Sequence, residues 1–226
     1  GFVPGNHEMW VKGPLPRVDS LTKWASLQHV CTEEGISTQS FDITGKHPAT
    51  VIPLLSWYET AADAGGSLFL KKGDRDETRD MWMDFHLTRW PGIANVADYF
   101  LQQNVLPAAP VGEVITFSHF LPRQELMFSS ARVPPPGTTY PADPHPEFNF
   151  SHVAGTLKID EQIRKLGSIL HLYGHQHRNR AVMVDRVIYV SHCMGYPRER
   201  AKGYVRGNAV IPRCLWDTDS GLMVTT

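Results

Sequence analysis

Short apolar runs, separated by polar and glycine-rich segments, predict buried β-strands along this chain. Glu113–Ser118 (EVITFS) is long enough for a buried strand and too short for a buried helix. Ser168–Tyr173 (SILHLY) has the same character. Val51–Tyr58 is β-branched and aromatic around Pro53, a composition that favours a strand. We predict one strand at each of these three segments.

Both ends of the chain also carry strand signals. Ala181–Asp185 and Val187–Ser191 flank a tight turn at Asp185-Arg186 and therefore predict a β-hairpin. At the other end, Gly1–Pro4 has the pattern of a strand end that runs into a turn at Gly5-Asn6.

The clearest helical signal covers Asp19–Glu34. Asp19 or Ser20 can cap the helix, and Gly35 ends it. Apolar residues recur at helical spacing and predict one buried side, which comprises Leu21, Trp24, Ala25, Leu27 and Val30.

Further helices are predicted between the strands, and a proline-rich segment, Val133–Pro146, predicts a loop. Strands alternate with helices early in the chain and pair as a hairpin late, which predicts a mixed sheet covered by helices. The additional helices are predicted at Asp76–Arg89, Ala94–Gln103 and Ile159–Leu166.

Composition and charge narrow the class of protein. The chain has 226 residues, of which 42% are hydrophobic and 20% charged, as expected for one globular domain that spans residues 1–226. A net charge of −1 gives no overall field that would attract nucleic acid or an anionic membrane. No apolar run approaches the ~18 residues that a membrane-spanning helix needs, so we expect no membrane span.

The cysteines indicate a reducing compartment. Cys31, Cys193 and Cys214 are far apart, odd in number and without a C-x-x-C pair. We therefore expect an intracellular protein, located in the cytoplasm, a plastid or a mitochondrion. The chain starts with Gly1 rather than Met, so we expect upstream residues in which a targeting peptide could lie.

Three short polar segments follow predicted strands: Gly5-Asn6-His7-Glu8, Ser118-His119-Phe120 and Gly174-His175-Gln176-His177. In open α/β sheets, ligands gather at the carboxyl ends of the strands. Imidazole and amide oxygen together suit divalent Mn, Fe or Zn. Each segment alone could be an ordinary turn or a packed histidine, but all three in this order predict a metal site.

The order G-N-H-E, strand-His and G-H-x-H resembles the calcineurin-like metallophosphoesterase superfamily. Phe117–Leu126 (FSHFLPRQEL), His171–His177 (HLYGHQH) and Tyr196–Arg200 (YPRER) look like a branch found in cyanobacteria, plant plastids and some protists. The resemblance runs from Gly5 to about Arg200. It implies an α/β fold in which two facing mixed β-sheets are flanked by helices, with the site at the sheet ends.

The resemblance also implies the roles of the metal ligands. It assigns Asn6, His119 and His175 to the second of two divalent metal ions, and His177 to the first. Manganese, iron and zinc are all compatible with these ligands. Two ions ~3.5–4 Å apart can hold a bridging hydroxide that attacks the phosphorus, and can neutralise charge on the attacking and leaving oxygens.

Three other residues receive roles near the phosphate. The resemblance implies that His7 is not a ligand and protonates the leaving oxygen, a contribution typically worth ~10²–10⁴ in rate. Glu8 is expected to orient the turn. Arg123, four residues after His119, could fork onto a phosphate oxygen or be a structural arginine, and both alternatives stay open.

The sequence departs from the family pattern at its start. The family's D-x-H and G-D-x-x-D motifs should precede Gly5 by several dozen residues, but only four residues stand before Gly5. The domain is therefore expected to be incomplete at its N-terminus. The missing ligands are expected from an N-terminal segment or from a larger assembly that completes the domain.

Two downstream matches to these motifs are rejected. Gly73–Asp80 and Asp84-Phe85-His86 come in the wrong order and lie within or beside a predicted helix. Asp84 and His86 would diverge by roughly 200° around that helix. We instead expect a solvated helix face there, with the aromatic residues turned inward: Trp82, Phe85 and Trp90.

The sequence supports two alternative functions. The first is metal-dependent hydrolysis of a phosphate ester, conditional on upstream motifs, with His7 as general acid and a phosphorylated substrate of unknown class. The alternative is a catalytically inactive scaffold or interaction subunit on the same fold.

Overall fold

The structure is a computed structural model that describes residues 1–13, 18–60, 65–71, 80–128, 148–203, 205 and 211–224. Six strands form its main sheet in the order β1-β2-β3-β4-β6-β5. Strands β2, β3, β4 and β6 run parallel to one another, whereas β1 pairs antiparallel with β2 at one edge and β5 pairs antiparallel with β6 at the other. The strands are β1 Phe41–Ile43, β2 Ala49–Pro53, β3 Glu113–Phe117, β4 Leu170–Leu172, β5 Arg180–Val184 and β6 Val187–Ser191.

Helices flank this sheet, and a second, two-stranded sheet is formed by β7 Trp216–Asp217 and β8 Gly221–Leu222. The predicted α/β fold with two sheets and flanking helices is confirmed, although the second sheet is small in the part of the chain that is described. The α-helices are α1 Asn6–Met9, α2 Ser20–Glu33, α3 Asp84–Leu87, α4 Val96–Gln103, α5 Leu157–Lys165 and α6 Pro197–Ala201.

Both faces of the main sheet are buried, which explains its continuous apolar runs. On β3, Val114 belongs to the core under the helices, while Ile115 belongs to the core on the opposite face. On β6, Tyr189 points to the helical side and Val190 to the other. The small sheet covers part of that second face, because Trp216 packs against its core.

Several predicted elements are present with shifted bounds. The hairpin is confirmed as β5 and β6, and its two turn residues, Asp185 and Arg186, have φ of 47° and 69°, as a tight two-residue hairpin turn requires. The helix predicted at Asp19–Glu34 is confirmed as α2, with the Asp19 carboxylate accepting the Thr22 N–H at 2.8 Å.

The predicted buried side of α2 is partly wrong. Val30 is 50% exposed and Ala25 is exposed. The helix packs instead along a stripe at spacings of four, three and four residues, because that stripe stays in line on a 3.6-residue turn. The stripe consists of Ser20, Trp24, Leu27 and Cys31.

Two other predictions differ from the structure. Gly1–Pro4 forms no strand, although its Phe2 N–H donates a hydrogen bond to the Ser37 carbonyl at 2.8 Å. The helix predicted at Asp76–Arg89 lies partly outside the described residues, and its described part contains one helical turn, α3. The loop predicted at Val133–Pro146 lies outside the described residues.

Candidate active site

Three predicted ligands meet at the carboxyl ends of β3 and β4. The parallel pairing continues past both strands, because the Ser118 N–H donates to the Leu172 carbonyl and the Gly174 N–H donates to the His119 carbonyl, each at 3.0 Å. His119 and His175 therefore leave adjacent strand ends side by side. The Nε2 atom of His119 lies 3.1 Å from the Asn6 Oδ1 atom and 3.1 Å from the His175 Nδ1 atom.

The neighbours of these three side chains determine which atoms face one another. The Asn6 amide donates from Nδ2 to the Asp84 carboxylate at 2.9 Å, so Oδ1 is the atom that faces His119. His175 Nε2 lies 2.9 Å from the Val153 carbonyl, which can only accept, so Nε2 carries the hydrogen. The Nδ1 lone pair of His175 therefore faces His119.

Both histidines of this group are partly buried, and their surroundings favour the neutral ring. Burial lowers the pKa of His119 from 6.5 to about 3, with the nearby imidazoles of His7 and His177 lowering it further. Burial also lowers the pKa of His175 well below its usual value. A neutral imidazole keeps a lone pair, which is the form that can bind a metal ion.

His177 lies in the same cavity and is oriented by a carboxylate. Its Nδ1 atom is 2.9 Å from Glu199 Oε2 and 3.1 Å from Glu199 Oε1. Since a carboxylate accepts, Nδ1 carries a hydrogen, and in the neutral ring the lone pair is therefore on Nε2. Glu199 in turn accepts the Tyr196 N–H at 2.6 Å at the start of α6, which holds the carboxylate in place.

The turn that carries His175 and His177 has an unusual backbone. Both residues have positive φ, 65° and 53°, a region that side-chain-bearing residues adopt at a cost of order 1–3 kcal/mol. The Gln176 side chain between them donates to the Met127 carbonyl at 3.0 Å and so helps to hold the turn. Such local strain is concentrated at functional sites.

His7 lies beside Asn6 on α1 with an exposed side chain. Its ring stacks on the Trp10 indole, with centroids 3.8 Å apart and planes at 28°. Partial burial of the ring lowers the pKa of His7, and the carboxylates of Asp84 and Glu8 oppose that shift. Glu8 accepts the Gly5 N–H at 2.8 Å and thus closes the turn that leads into α1.

These side chains line one cavity of about 610 Å³ at the end of the sheet. Its polar wall contains Asn6, His7, Asp84, His119, His175, His177 and Glu199. The remaining wall is mainly aromatic and sulfur-bearing and includes Trp10, Met81, Trp82, Met83, Phe150, Cys193, Met194 and Tyr196.

Asp84 is a site residue that the sequence analysis missed. The prediction of a solvated face is wrong for Asp84, which is 2% exposed. Burial raises the pKa of its carboxyl, while hydrogen bonds from Asn6 and Trp10 oppose the rise. His86 points elsewhere, with Nε2 2.5 Å from the Asp80 carbonyl, so the two side chains do diverge. One acid within an apolar run, MWMDF, was the available signal.

Arg123 is not brought to this cavity. Its guanidinium contacts Glu125 at 2.6 Å, Asp160 at 3.0 Å and Asp185 at 3.2 Å. Hydrogen bonds and charge from Glu125 and Asp160 raise the pKa of Arg123, although burial works against them. The arrangement is that of a structural arginine, the other alternative that the sequence allowed.

No group of three or more His, Cys, Asp or Glu side chains with metal-binding geometry occurs among the residues that the structure describes. The convergent group therefore depends on the amide oxygen of Asn6 as its third member. Nor does the described part of the chain contain a helix of sufficient length and apolar character to cross a membrane.

Comparisons of sequence and of structure with known proteins both give a match to the same protein, which is described below. No protein-family model matches the chain. The chain is similar to [Acyl-carrier-protein] phosphodiesterase PptH of Mycobacterium tuberculosis (strain ATCC 25618 / H37Rv), with 25% identity over 237 residues. The match covers 93% of this chain and 65% of PptH, so the chain spans about two-thirds of that relative's length.

A solved structure shares the fold. The crystal structure of Phosphopantetheinyl Hydrolase (PptH) from Mycobacterium tuberculosis matches with a TM-score of 0.65 and 21% identity. The match covers 88% of this chain and 70% of that one. The main sheet and its flanking helices therefore form the fold of that hydrolase.

Proposed function

We propose that this chain belongs to a metal-dependent phosphate-ester hydrolase of the calcineurin-like metallophosphoesterase superfamily. The supporting observation is the convergence of Asn6 Oδ1, His119 Nε2 and His175 Nδ1, with His119 Nε2 3.1 Å from each of the other two. The likeness to a phosphodiesterase from Mycobacterium tuberculosis supports the same reaction class.

The chemistry of the three atoms fits a cation. Asn6 Oδ1 and His175 Nδ1 are both acceptors, so a single N–H on His119 cannot serve both well. A divalent ion would satisfy all three lone pairs at once. Metal–ligand distances of about 2.0–2.2 Å place neighbouring ligands roughly 3.0–3.4 Å apart, a range that includes the observed 3.1 Å.

The residues have separate tasks in this proposal. Asn6, His119 and His175 hold one divalent ion, and His177, oriented by Glu199, contributes to a second. The second ion needs further donors, which the family resemblance places in D-x-H and G-D-x-x-D motifs upstream of Gly5. When bound, the ions would polarise the phosphoryl group and neutralise the charge that develops on its oxygens. Manganese, iron and zinc all suit these donors.

His7 is the proposed general acid. It is exposed in the cavity and follows the ligand Asn6 directly, so it can approach a leaving oxygen without contributing to the metal. The stack on Trp10 limits its rotation. Protonation of the leaving oxygen would produce a neutral alcohol, which departs more readily than an alkoxide.

The substrate class that we propose is a phosphodiester. The relative's name specifies an acyl-carrier-protein phosphodiester, and the related crystal structure is titled a phosphopantetheinyl hydrolase. A carrier protein that bears a phosphopantetheinyl group is therefore the first substrate to test.

Two assays of the purified full-length protein test the proposal. The first measures cleavage of bis(p-nitrophenyl) phosphate and release of phosphopantetheine from a holo-acyl-carrier protein, with Mn²⁺ or with chelator. The second measures bound metal. We expect activity with Mn²⁺ only, loss of metal in His175→Ala, and retained metal with turnover reduced ~10²–10⁴-fold in His7→Ala.

The control is His29→Ala, since His29 is exposed on α2 and pairs with Glu33 away from the site. Equal activity of His7→Ala and the parent would show that the acid is wrongly assigned. A protein that neither binds metal nor cleaves either ester would instead favour a scaffold.

A further inference from the structure

A buried carboxylate lies behind the proposed metal ligand Asn6. The Oδ1 atom of Asp84 accepts hydrogen bonds from Asn6 Nδ2 at 2.9 Å and from Trp10 Nε1 at 2.6 Å. Asn6 begins α1 and Trp10 directly follows its last residue, so one oxygen atom connects the two ends of this short helix. Asp84 itself comes from α3, 78 residues further along the chain.

The contact with Asn6 determines which end of the amide faces the cavity. In the observed orientation, Nδ2 faces Asp84 and Oδ1 faces His119. The flipped amide would set Oδ1 against a carboxylate oxygen and direct an NH₂ group, which cannot bind a cation, at His119. Asp84 therefore stabilises the orientation of Asn6 that is able to bind metal.

Through Trp10, Asp84 also influences the proposed general acid, His7. The His7 ring stacks on the Trp10 indole at 3.8 Å, and the hydrogen bond from Trp10 Nε1 to Asp84 holds that indole in place. Loss of the Asp84 carboxylate would leave the Trp10 indole, and with it the stacked His7 ring, less restrained. The same carboxylate thus acts on a proposed ligand and on a proposed acid.

The segment that carries Asp84 is firmly attached to α1 and α2. The Val11 N–H donates to the Leu87 carbonyl at 2.6 Å, and the Ser20 N–H donates to the Arg89 carbonyl at 3.0 Å. The Arg89 N–H returns a hydrogen bond to Ser20 Oγ at 2.9 Å. These bonds hold Asp84 at a set distance from α1.

We propose that Asp84 is a positioning residue that directs Asn6 Oδ1 toward the cation and holds His7, through Trp10, toward the leaving group. This inference rests on the proposed function. A partner of this kind, one contact beyond the ligand, typically affects metal affinity or activity by ~10–100-fold.

Variants of the full-length protein separate these two roles. Asp84→Ala removes the acceptor, and we expect Mn²⁺ affinity, measured by isothermal titration calorimetry, to fall ~10–100-fold. Asp84→Asn retains one oxygen that can accept both hydrogen bonds, so its affinity should stay within a few-fold of the parent. The matched control is Asp98→Ala, because Asp98 is 42% exposed on α4 and pairs with Lys158.

Trp10→Phe isolates the second role, since it keeps an aromatic ring but removes the donor to Asp84. We expect unchanged Mn²⁺ affinity with turnover reduced severalfold. Circular dichroism of the metal-free protein shows whether Asp84→Ala folds. If it does not fold, Trp10→Phe tests the positioning role of Asp84 in its place. Unchanged affinity and turnover in Trp10→Phe would then overturn the inference.

The outcomes also distinguish this inference from the proposed function. Parent-like Mn²⁺ affinity in Asp84→Ala, together with lost affinity in His175→Ala, would refute the positioning role and leave the proposed function standing. Parent-like affinity in His175→Ala, or no Mn²⁺ binding by the parent, would overturn both. Weak binding by Asp84→Ala with recovery in Asp84→Asn supports the positioning role.

Discussion

The imidazole of His119 packs against Gly5 so closely that no side chain fits between them. A Cβ atom on Gly5 would lie 2.6 Å from Cε1 and 2.7 Å from Nδ1 of His119. The Gly5 backbone has φ of −91°, which any residue can adopt, so the requirement for glycine is steric. Gly174 is also near this ring, but a Cβ there would meet Nδ1 at an ordinary 3.5 Å.

These two glycines should respond differently to alanine. Gly5→Ala must displace the His119 ring, so we expect at least a tenfold loss of Mn²⁺ affinity and a loss of stability of about 1–3 kcal/mol from overpacking. Gly174→Ala should change both quantities little. Calorimetric titration with Mn²⁺ and urea denaturation provide the two measurements, and equal behaviour of the two variants would contradict the steric argument.

The Glu199 carboxylate should control metal binding through His177. Glu199→Ala removes the acceptor for His177 Nδ1, so the ring can rotate and its Nε2 lone pair is no longer directed. We expect one of the two proposed metal sites to weaken ~10–100-fold. Metal content per protein after dialysis measures this effect, with Glu161→Ala, an exposed acid on α5, as control. Full retention of both metals would exclude this role.

Arg123 should matter for stability rather than for hydrolysis. Arg123→Ala leaves the buried carboxylate of Asp160 without one of its cationic partners, and we expect a loss of about 3 kcal/mol in unfolding free energy. The kcat/KM per folded molecule should match the parent. Lys165→Ala, an exposed cation on α5, should affect neither quantity. Unchanged stability with reduced kcat/KM would instead support phosphate binding by Arg123.

His171 should make the fold sensitive to acid. Its ring is fully buried between Thr116 and Ser118, whose hydroxyl groups lie 2.8 Å from Nδ1 and 3.1 Å from Nε2. Burial lowers the pKa of His171 from 6.5 to about 3. The unfolded chain therefore binds the proton first, so this stability is complete above pH 6.5 and declines as the pH falls toward 3.

His171→Phe should remove that dependence. Over this pH range, the slope of unfolding free energy against pH should decrease by up to about 1.4 kcal/mol per pH unit. Leu170→Ala provides the control, because it leaves a cavity beside the same strand but retains His171. Its slope should therefore match that of the parent. Urea denaturation at a series of pH values measures both slopes, and parallel slopes for His171→Phe and the parent would disprove the prediction.

The sheet was predictable because its strands carry local signals. Glu113–Ser118 is apolar on both faces since both faces are covered, and the hairpin turn at Asp185-Arg186 lies between two β-branched runs. Val30 and Ala25 were misplaced because the buried stripe of α2 is decided by what α2 packs against. Periodicity alone cannot identify the buried side when the helix's own apolar residues are spread around most of its circumference.

The convergence of the proposed ligands was predictable for a related reason. Adjacent parallel strands end at one sheet edge, so polar residues after β3 and β4 had to become neighbours. Asp84 could not be found in this way. Its contact with Asn6 spans 78 residues and depends on how α3 attaches to α1, which no local pattern encodes. A lone acid among Met, Trp and Phe indicates only that some partner must exist.

The positive φ angles at His175 and His177 restrict how this turn can change over evolution. Valine, isoleucine and threonine are barred at both positions by their own branched Cβ atoms, whatever chemistry the cavity demands. Asparagine, aspartate and glycine are the replacements that the backbone accepts most easily. Side-chain chemistry at this sheet edge would therefore change by exchange among a few small polar residues, or through substitutions in the neighbouring segments.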